Sequence, residues 1–391
     1  MLDWVIIGGG IHGTYLANFL TTVLGYRFDR VIVLDPHEEP CQLWKEVTRN
    51  TGMTFLRSPL GHHIGLDADS LARYAKTPAV LPWAMTLGIS QRPALALFNS
   101  HLDFLARQFG LRRMFRKGRA HAIKEIPQGL SVESENGSFE TKNVIIAVGQ
   151  SEAPVIPQWA AALKKSGDSI KHIFEPTFKI EDYKSGSKVA IVGGGITAAH
   201  IAAHLGAKGV LVSLVCKAPI PTHALDFDPC WLSSMCMDGF ADLENPDERR
   251  EAIDRARHKG TAPQDVQDKL VSAVQRGQVR QFYAVVDGAF WRNGSIRLSL
   301  NNDSAVVADK IILATGVEKT RPGGPWIDHM AHNLGLPVHA GGYPLVDPLL
   351  RWGHPRIFVS GALAELELGP AARNIIGAKL AAERILRLHS L

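Results

Sequence analysis

The chain has 391 residues and a formal net charge of +5, with 46% hydrophobic and 21% charged residues. That length exceeds the usual single core, so two domains are expected, and the composition excludes a disordered chain. The small positive excess is spread along the sequence, which suits anionic ligands but not a nucleic-acid groove, and no apolar run is long enough to span a bilayer.

The first residues enter an apolar strand with no basic segment before them, so no secretion signal is expected and the cytoplasm is the expected location. The strand runs into Gly8-Gly9-Gly10-Ile11-His12-Gly13, and a helix of small and apolar residues follows. Gly8 permits the tight turn, Gly10 lets the backbone approach a pyrophosphate, and Gly13 lets helix and strand pack closely. The helix N-terminus adds free N–H groups and partial positive charge. A second strand, Val31 to Leu34, ends at Asp35, at the distance past the glycines where an acid binds ribose hydroxyls.

Cys41 follows with no nearby partner, and its neighbours Glu38 and Glu39 disfavour a thiolate, so a structural cysteine is expected. The four cysteines, Cys41, Cys216, Cys230 and Cys236, lack the paired spacing of a disulfide framework, and the last two are too far apart for a dithiol redox motif. His62-His63 reads as a polar turn, because no third ligand stands at metal-site spacing. Trp83 and Trp231 read as core aromatics. Leu130 to Glu133 and Ser138 to Thr141 flank an Asn136-Gly137 turn, a hairpin signal, and a further strand, Asn143 to Val148, ends at Gly149.

Pro154 and Pro157 mark a crossover into a second unit. Its strand Lys188 to Val192 leads into Gly193-Gly194-Gly195-Ile196-Thr197-Ala198, with alanine at the sixth position. His200 and His204 read as surface residues of the helix that follows. The next strand, Val210 to Val215, is followed by Cys216-Lys217 with no acid. An acid there holds the ribose of NADH and repels a 2′-phosphate, whereas lysine pairs with that phosphate, so NADPH is expected. Pro219 to Arg280 is helical in pattern and has no counterpart in the first half, which marks an insertion: a solvated helical hairpin, or a lid. Ile296 to Leu300 and Ala305 to Ala308 form another hairpin, and Lys310 to Leu313 leads into Ala314-Thr315-Gly316. Arg356 to Gly361 is a last strand. Gly369 to Leu388 reads as a helix with proline in its first turn and an apolar face of Ile375, Ile376, Leu380, Ile385 and Leu386.

Two glycine motifs in order, each with a later strand-to-glycine turn, and a final helix opened by proline resemble the two-dinucleotide-binding flavoproteins. That superfamily holds flavin-containing monooxygenases, N-hydroxylating monooxygenases, and disulfide and quinone reductases. The resemblance covers nearly the whole chain and implies an α/β fold of two Rossmann-like, three-layer domains, the NAD(P)H domain inserted in the FAD domain. By implication residues 1–153 and 318–391 form the FAD domain, and 154–317 the NAD(P)H domain with the insertion at 219–280. FAD and NADPH are the implied cofactors. The implied cofactor-binding residues are Gly8, Gly10, Gly13, Asp35, Gly149, Gly193, Gly195, Ala198, Lys217, Gly316 and Gly361. Ala371, Ala372 and Arg373 join them, with N–H groups aimed at the flavin pyrimidine. Gly361-Ala362 stands where the family often has Gly-Asp, so FAD sits more loosely or Glu365 substitutes.

Within Thr48 to His63, Thr54-Phe55-Leu56-Arg57-Ser58 is similar to the Ser-Phe-Leu-Lys-Asp of N-hydroxylating monooxygenases. Gly52 replaces a glutamine and Ser58 an acid, so amino-acid specificity does not transfer. Arg57 and Asn50 are the catalytic candidates, as donors beside the flavin. Gly167 and His172 match half of a flavin-monooxygenase signature. The expected protein is thus an FAD-dependent oxidoreductase, a monooxygenase using NADPH and O2 on a small nucleophilic amine or amino-acid-type substrate. Two alternatives stay open: an NAD(P)H-dependent quinone or disulfide-type reductase, and a non-catalytic nucleotide-binding regulatory protein. Substrate identity and oligomeric state are not legible in the sequence.

Overall fold

A computed structural model describes residues 1–150, 153–164, 169–292 and 294–387; Gly167 and Leu388 lie outside them. Leu2–Ile7 forms the middle of a seven-stranded sheet, parallel to Val31–Asp35 on one side and Gly137–Ile146 on the other. Phe115–Lys117 extends one edge, and Gly129–Ser134 and Ala120–Ile126 extend the other. From the far end of the chain, Ile357–Val359 joins in parallel, with Ile357 opposite Val144.

The strands expected at 138–141 and 143–148 are one ten-residue strand. Its first half pairs antiparallel across the Asn136-Gly137 turn, and its second half is shared by two parallel neighbours. Val5, Ile6, Val33, Ile145 and Ile146 are fully buried, because apolar clusters cover both faces of this sheet.

The second sheet is wholly parallel. Its order is Val279–Tyr283, Leu211–Cys216, Lys188–Val192, Lys310–Leu313 and Ile170–His172. A separate antiparallel sheet joins Val286–Arg292, Ser295–Leu300 and Ala305–Ala308. Helix Gln264–Gln275 packs on Ile196–Ala207 and delivers the chain to Val279–Tyr283. It is therefore an ordinary crossover helix of a parallel sheet. This shortens the expected insertion, whose extra helices are Ser234–Ala241 and Pro246–Ala256.

The last helix also differs. Pro370–Arg373 is a 3-10 turn, Asn374 is extended, and the α-helix runs only from Ile375 to Leu386. Its buried residues are Gly377, Ala378, Ala381, Ala382 and Ile385, whereas Leu386 is exposed. Small residues win because this helix lies against helix Ile11–Thr22 and contributes to the clusters on both sides of the sheet.

The glycines of the first motif separate into two physical classes. A Cβ on Gly13 would overlap the carbonyl oxygen of Gly8, whereas a Cβ on Gly10 would meet nothing within 4 Å. Gly13→Ala is expected to destabilise the apoprotein by about 1–3 kcal/mol through overpacking. Gly10→Ala is expected to leave its urea midpoint unchanged; equal losses in the two variants would refute the distinction.

Candidate functional site

Both glycine turns stand at the C-terminal ends of parallel strands, where ligands of open α/β sheets bind. Gly8, at φ +108°, passes so close to the chain's next crossing that a Cβ would lie 2.5 Å from the oxygen of Ala147. Gly193, at φ +156°, meets Ala314 in the same way. The adjoining Gly149 and Gly316 are exposed, with nothing within 4 Å of an added Cβ. Ala198 is fully buried at the helix–strand contact of the second motif.

The cradles themselves are open. Gly10 faces free space, and Gly195 faces only Cα of Gly260 at 3.8 Å, from the loop that follows the insertion. Asp35 ends the strand beside Gly10, its carboxylate accepting the Gly9 N–H at 2.6 Å and the His37 N–H at 2.8 Å. Lys217, exposed, directly follows the corresponding strand of the second unit. Each half thus offers bare backbone for a pyrophosphate and one polar side chain for the ribose end of a dinucleotide. The first fits FAD and the second a nicotinamide dinucleotide.

At the far side of the first cradle, Gly361 takes φ +72° and lies against the His12 ring. His12 joins three parts of the chain, with Nδ1 2.9 Å from Ser360 Oγ and Nε2 3.0 Å from the Asn374 carbonyl. Burial pushes its pKa down to about 4. Glu365 does not replace the missing Gly-Asp acid: it is fully buried, and its oxygens are taken by Arg373, Arg250 and Arg257. Burial opposes the Arg373 charge, but the Glu365 carboxylate more than restores it and leaves the pKa raised. Ala371 and Ala372 are fully buried within the 3-10 turn, and the Ala372 N–H donates to Gly369 O. This cluster was missed. Its trace in the sequence is the seven-residue spacing of Arg250, on helix Pro246–Ala256, and Arg257, just past its end.

The segment around Asn50 and Arg57 is where the two units meet. Asn50 Nδ2 donates to Phe178 O at 2.9 Å, and its Oδ1 accepts the Ile180 N–H at 3.3 Å. The Arg57 guanidinium donates to the carbonyls of His223 at 2.9 Å, Ala224 at 3.1 Å and Leu225 at 2.5 Å, and to Thr261 Oγ1 at 2.8 Å. Between them, Thr54 accepts from Lys269 at 2.6 Å, and nearby Arg92 pairs with Asp265 at 2.6 Å. His200 is buried and His204 half-buried, rather than on the surface; the turn after helix Gln42–Thr51 lies on His204, where a Cβ on Gly52 would stand 2.5 Å from the ring, and His200 lies near Lys269, Asp265 and Arg92.

Cys41 is buried, and burial pushes its thiol up to about 12, so it is inert at neutral pH. Cys230 and Cys236 form a disulfide, contrary to the spacing argument. The turn Pro229–Leu232 and the start of helix Ser234–Ala241 fold the chain back and bring their Cα atoms to 5.3 Å. Trp231 is half-buried against Phe240, and Trp83 is 41% exposed, so neither is a fully buried core aromatic. His172 is fully buried in its strand.

Two outcomes follow for this site. Arg57→Ala is expected to accelerate hydrogen exchange at residues 223–225 and 261 in the apoprotein; unchanged exchange there would remove its bridging role. His12, His172 and His200 have pKa values lowered to about 4 by burial, below their ordinary value near 6.5. Between those limits the unfolded chain binds more protons, so stability falls as pH drops from about 6.5 to about 4, by up to about 1.4 kcal/mol per pH unit per histidine. Urea titrations at pH 7 and 5 measure this, and His12→Gln is expected to flatten the slope.

The fold is similar to that of L-lysine 6-monooxygenase from Pseudomonas syringae, with a TM-score of 0.74 at 20% identity over 100% of this chain and 99% of that one. Ornithine hydroxylase from Pseudomonas aeruginosa gives 0.75 at 19% identity over 99% and 98%. An FAD-bound cadaverine monooxygenase of desferrioxamine biosynthesis from Erwinia amylovora gives 0.76 at 15% over 99% and 94%. No curated protein matches the sequence. Among the described residues, no helix is long and apolar enough to cross a membrane. The family model for pyridine nucleotide-disulphide oxidoreductases matches residues 2–230, which hold the first glycine motif, the second, and the strand ending at Cys216. With both cradles built as that match requires, the chain belongs to the pyridine nucleotide-disulphide oxidoreductase family and is a two-dinucleotide-binding flavoprotein oxidoreductase.

Proposed function

We propose that the chain is an NADPH-dependent FAD monooxygenase that hydroxylates the nitrogen of a small amine or amino-acid-type substrate. The observation that carries this reading is the Asn50–Arg57 segment. The stretch that resembles N-hydroxylating monooxygenases is the one that fastens the nicotinamide unit to the flavin unit. Three structures of similar fold are, by name, a lysine monooxygenase, an ornithine hydroxylase and a cadaverine monooxygenase. Buried Cys41, with its raised pKa, offers no thiolate beside the first cradle, which weighs against a disulfide-type reductase.

FAD, when bound, would supply an acceptor for the hydride of NADPH and a route for its electrons to O2. The chain's own groups bind and orient. Gly10 and Gly195 leave room for the two pyrophosphates, Asp35 holds the adenosine ribose of FAD, and Lys217 pairs with the 2′-phosphate of NADPH. Asn50 and Arg57 act as positioning residues, their polar atoms holding the backbone at 178–180 and 223–225. The Arg373 guanidinium, kept charged by Glu365, places positive potential at the turn before the last helix, where the flavin pyrimidine is expected.

The purified protein is expected to be yellow, and stopped-flow flavin reduction to favour NADPH over NADH. Lys217→Ala is expected to raise the KM for NADPH by roughly tenfold while sparing NADH, the loss of one charge-assisted pair. O2 consumption with an amine panel is expected to match hydroxylamine formed. Rapid reoxidation by quinone, with a reduced flavin inert to oxygen, would instead identify the reductase.

A further inference from the structure

The insertion rests on the C-terminal part of the flavin unit through one small apolar core and one buried ionic cluster. Phe240 and Ile253 from the insertion pack with Tyr343 and Leu366, with Trp231 and Met237 packed against them. Trp231 meets Phe240 edge-on at 5.7 Å, and a Cβ on Gly369 would lie 3.2 Å from Met237 Sδ. Beside this core, Arg257 reaches Glu365 and the Pro370 carbonyl, and Asp226 accepts from Asn374 Nδ2 at 3.0 Å. The two residues that anchor the loop in this core, Trp231 and Met237, each follow directly after a bonded cysteine.

We propose that Cys230–Cys236 is a thiol–disulfide exchange site, a reducible clasp that holds the insertion on the Gly369–Asn374 turn and that a small dithiol opens. Access and chemistry both favour it. The two cysteines are half-buried, and Leu232, Ser233, Ser234 and Met235 between them are exposed, so a small thiol can reach the bond. Cys236 is the third residue of the eight-residue helix Ser234–Ala241, where the positive end of the helix stabilises a thiolate. A thiolate of the dithiol attacks Cys230 Sγ, the disulfide breaks, and Cys236 leaves as the thiolate. The second thiol of the reagent then attacks the mixed disulfide and releases Cys230. The reagent ends as a cyclic disulfide, two electrons have passed to the protein, and the two protein thiolates take up protons lost by the reagent. Once open, nothing covalent keeps Trp231 and Met237 on the same side of the loop, and the insertion loosens.

The proposal does not depend on the reaction assigned above, because its readout is the insertion's own accessibility. The FAD-loaded protein is treated with dithiothreitol under native conditions, alkylated with iodoacetamide, and digested with a limiting amount of trypsin. Two labelled cysteines are expected, Cys230 and Cys236, with buried Cys41 and Cys216 unlabelled. Cleavage after the exposed Arg255 and Lys259 is expected to quicken by roughly tenfold, as local opening becomes easier. The Cys230→Ser/Cys236→Ser variant is expected to be cut at the fast rate with or without reductant. Four free thiols in the untreated protein, no labelling after dithiothreitol, or labelling without faster cleavage would each overturn the proposal.

Discussion

Everything in this molecule follows from two places where backbone passes backbone too closely for a side chain. At Gly8 the chain passes the Ala147 carbonyl, and at Gly193 it passes Ala314. Each contact forces a left-handed turn at the end of a parallel strand, and each turn aims the N-terminus of a small-residue helix into open space beside Gly10 or Gly195. A carboxylate at Asp35 ends the strand beside the first cradle, and an ammonium at Lys217 follows the strand beside the second.

The contacts that Asn50 and Arg57 make between the two units are polar. Asn50 satisfies two backbone groups of the second unit, and Arg57 holds three carbonyls and a hydroxyl from two separate stretches. Such bonds are directional, so they set orientation more sharply than an apolar contact of the same area does. Arg92–Asp265 and Lys269–Thr54 extend the same belt. A segment whose residue types suggest chemistry at the flavin therefore spends its polar atoms on holding the units in register.

The turn before the last helix is organised by one carboxylate. Glu365 is fully buried among Arg373, Arg250 and Arg257, and removing it would take from three guanidinium groups the carboxylate they share, a cost of about 3–5 kcal/mol. The chain from His12 through Asn374 and Asp226 to Arg257 ties the first glycine helix to the insertion. The buried charges thus join the C-terminal turn to the segment that covers it.

Local features were legible in the sequence because they depend on neighbours a few residues away: the glycine turns, the acid at Asp35, the lysine at Lys217, and the parallel strands as apolar runs. The one strand at 137–146 was divided in two because its halves pair with different partners, which local pattern does not record. The final helix showed its large residues as the apolar face, yet buries its alanines, since a helix pressed against another helix needs small side chains. Spacing alone argued against Cys230–Cys236, and a turn and a helix start bring them together. By itself the sequence determined the two dinucleotide units and their order. Only the tertiary structure decided which polar residues face each other across the units, because those partners lie more than a hundred residues apart and meet only once both sheets have formed.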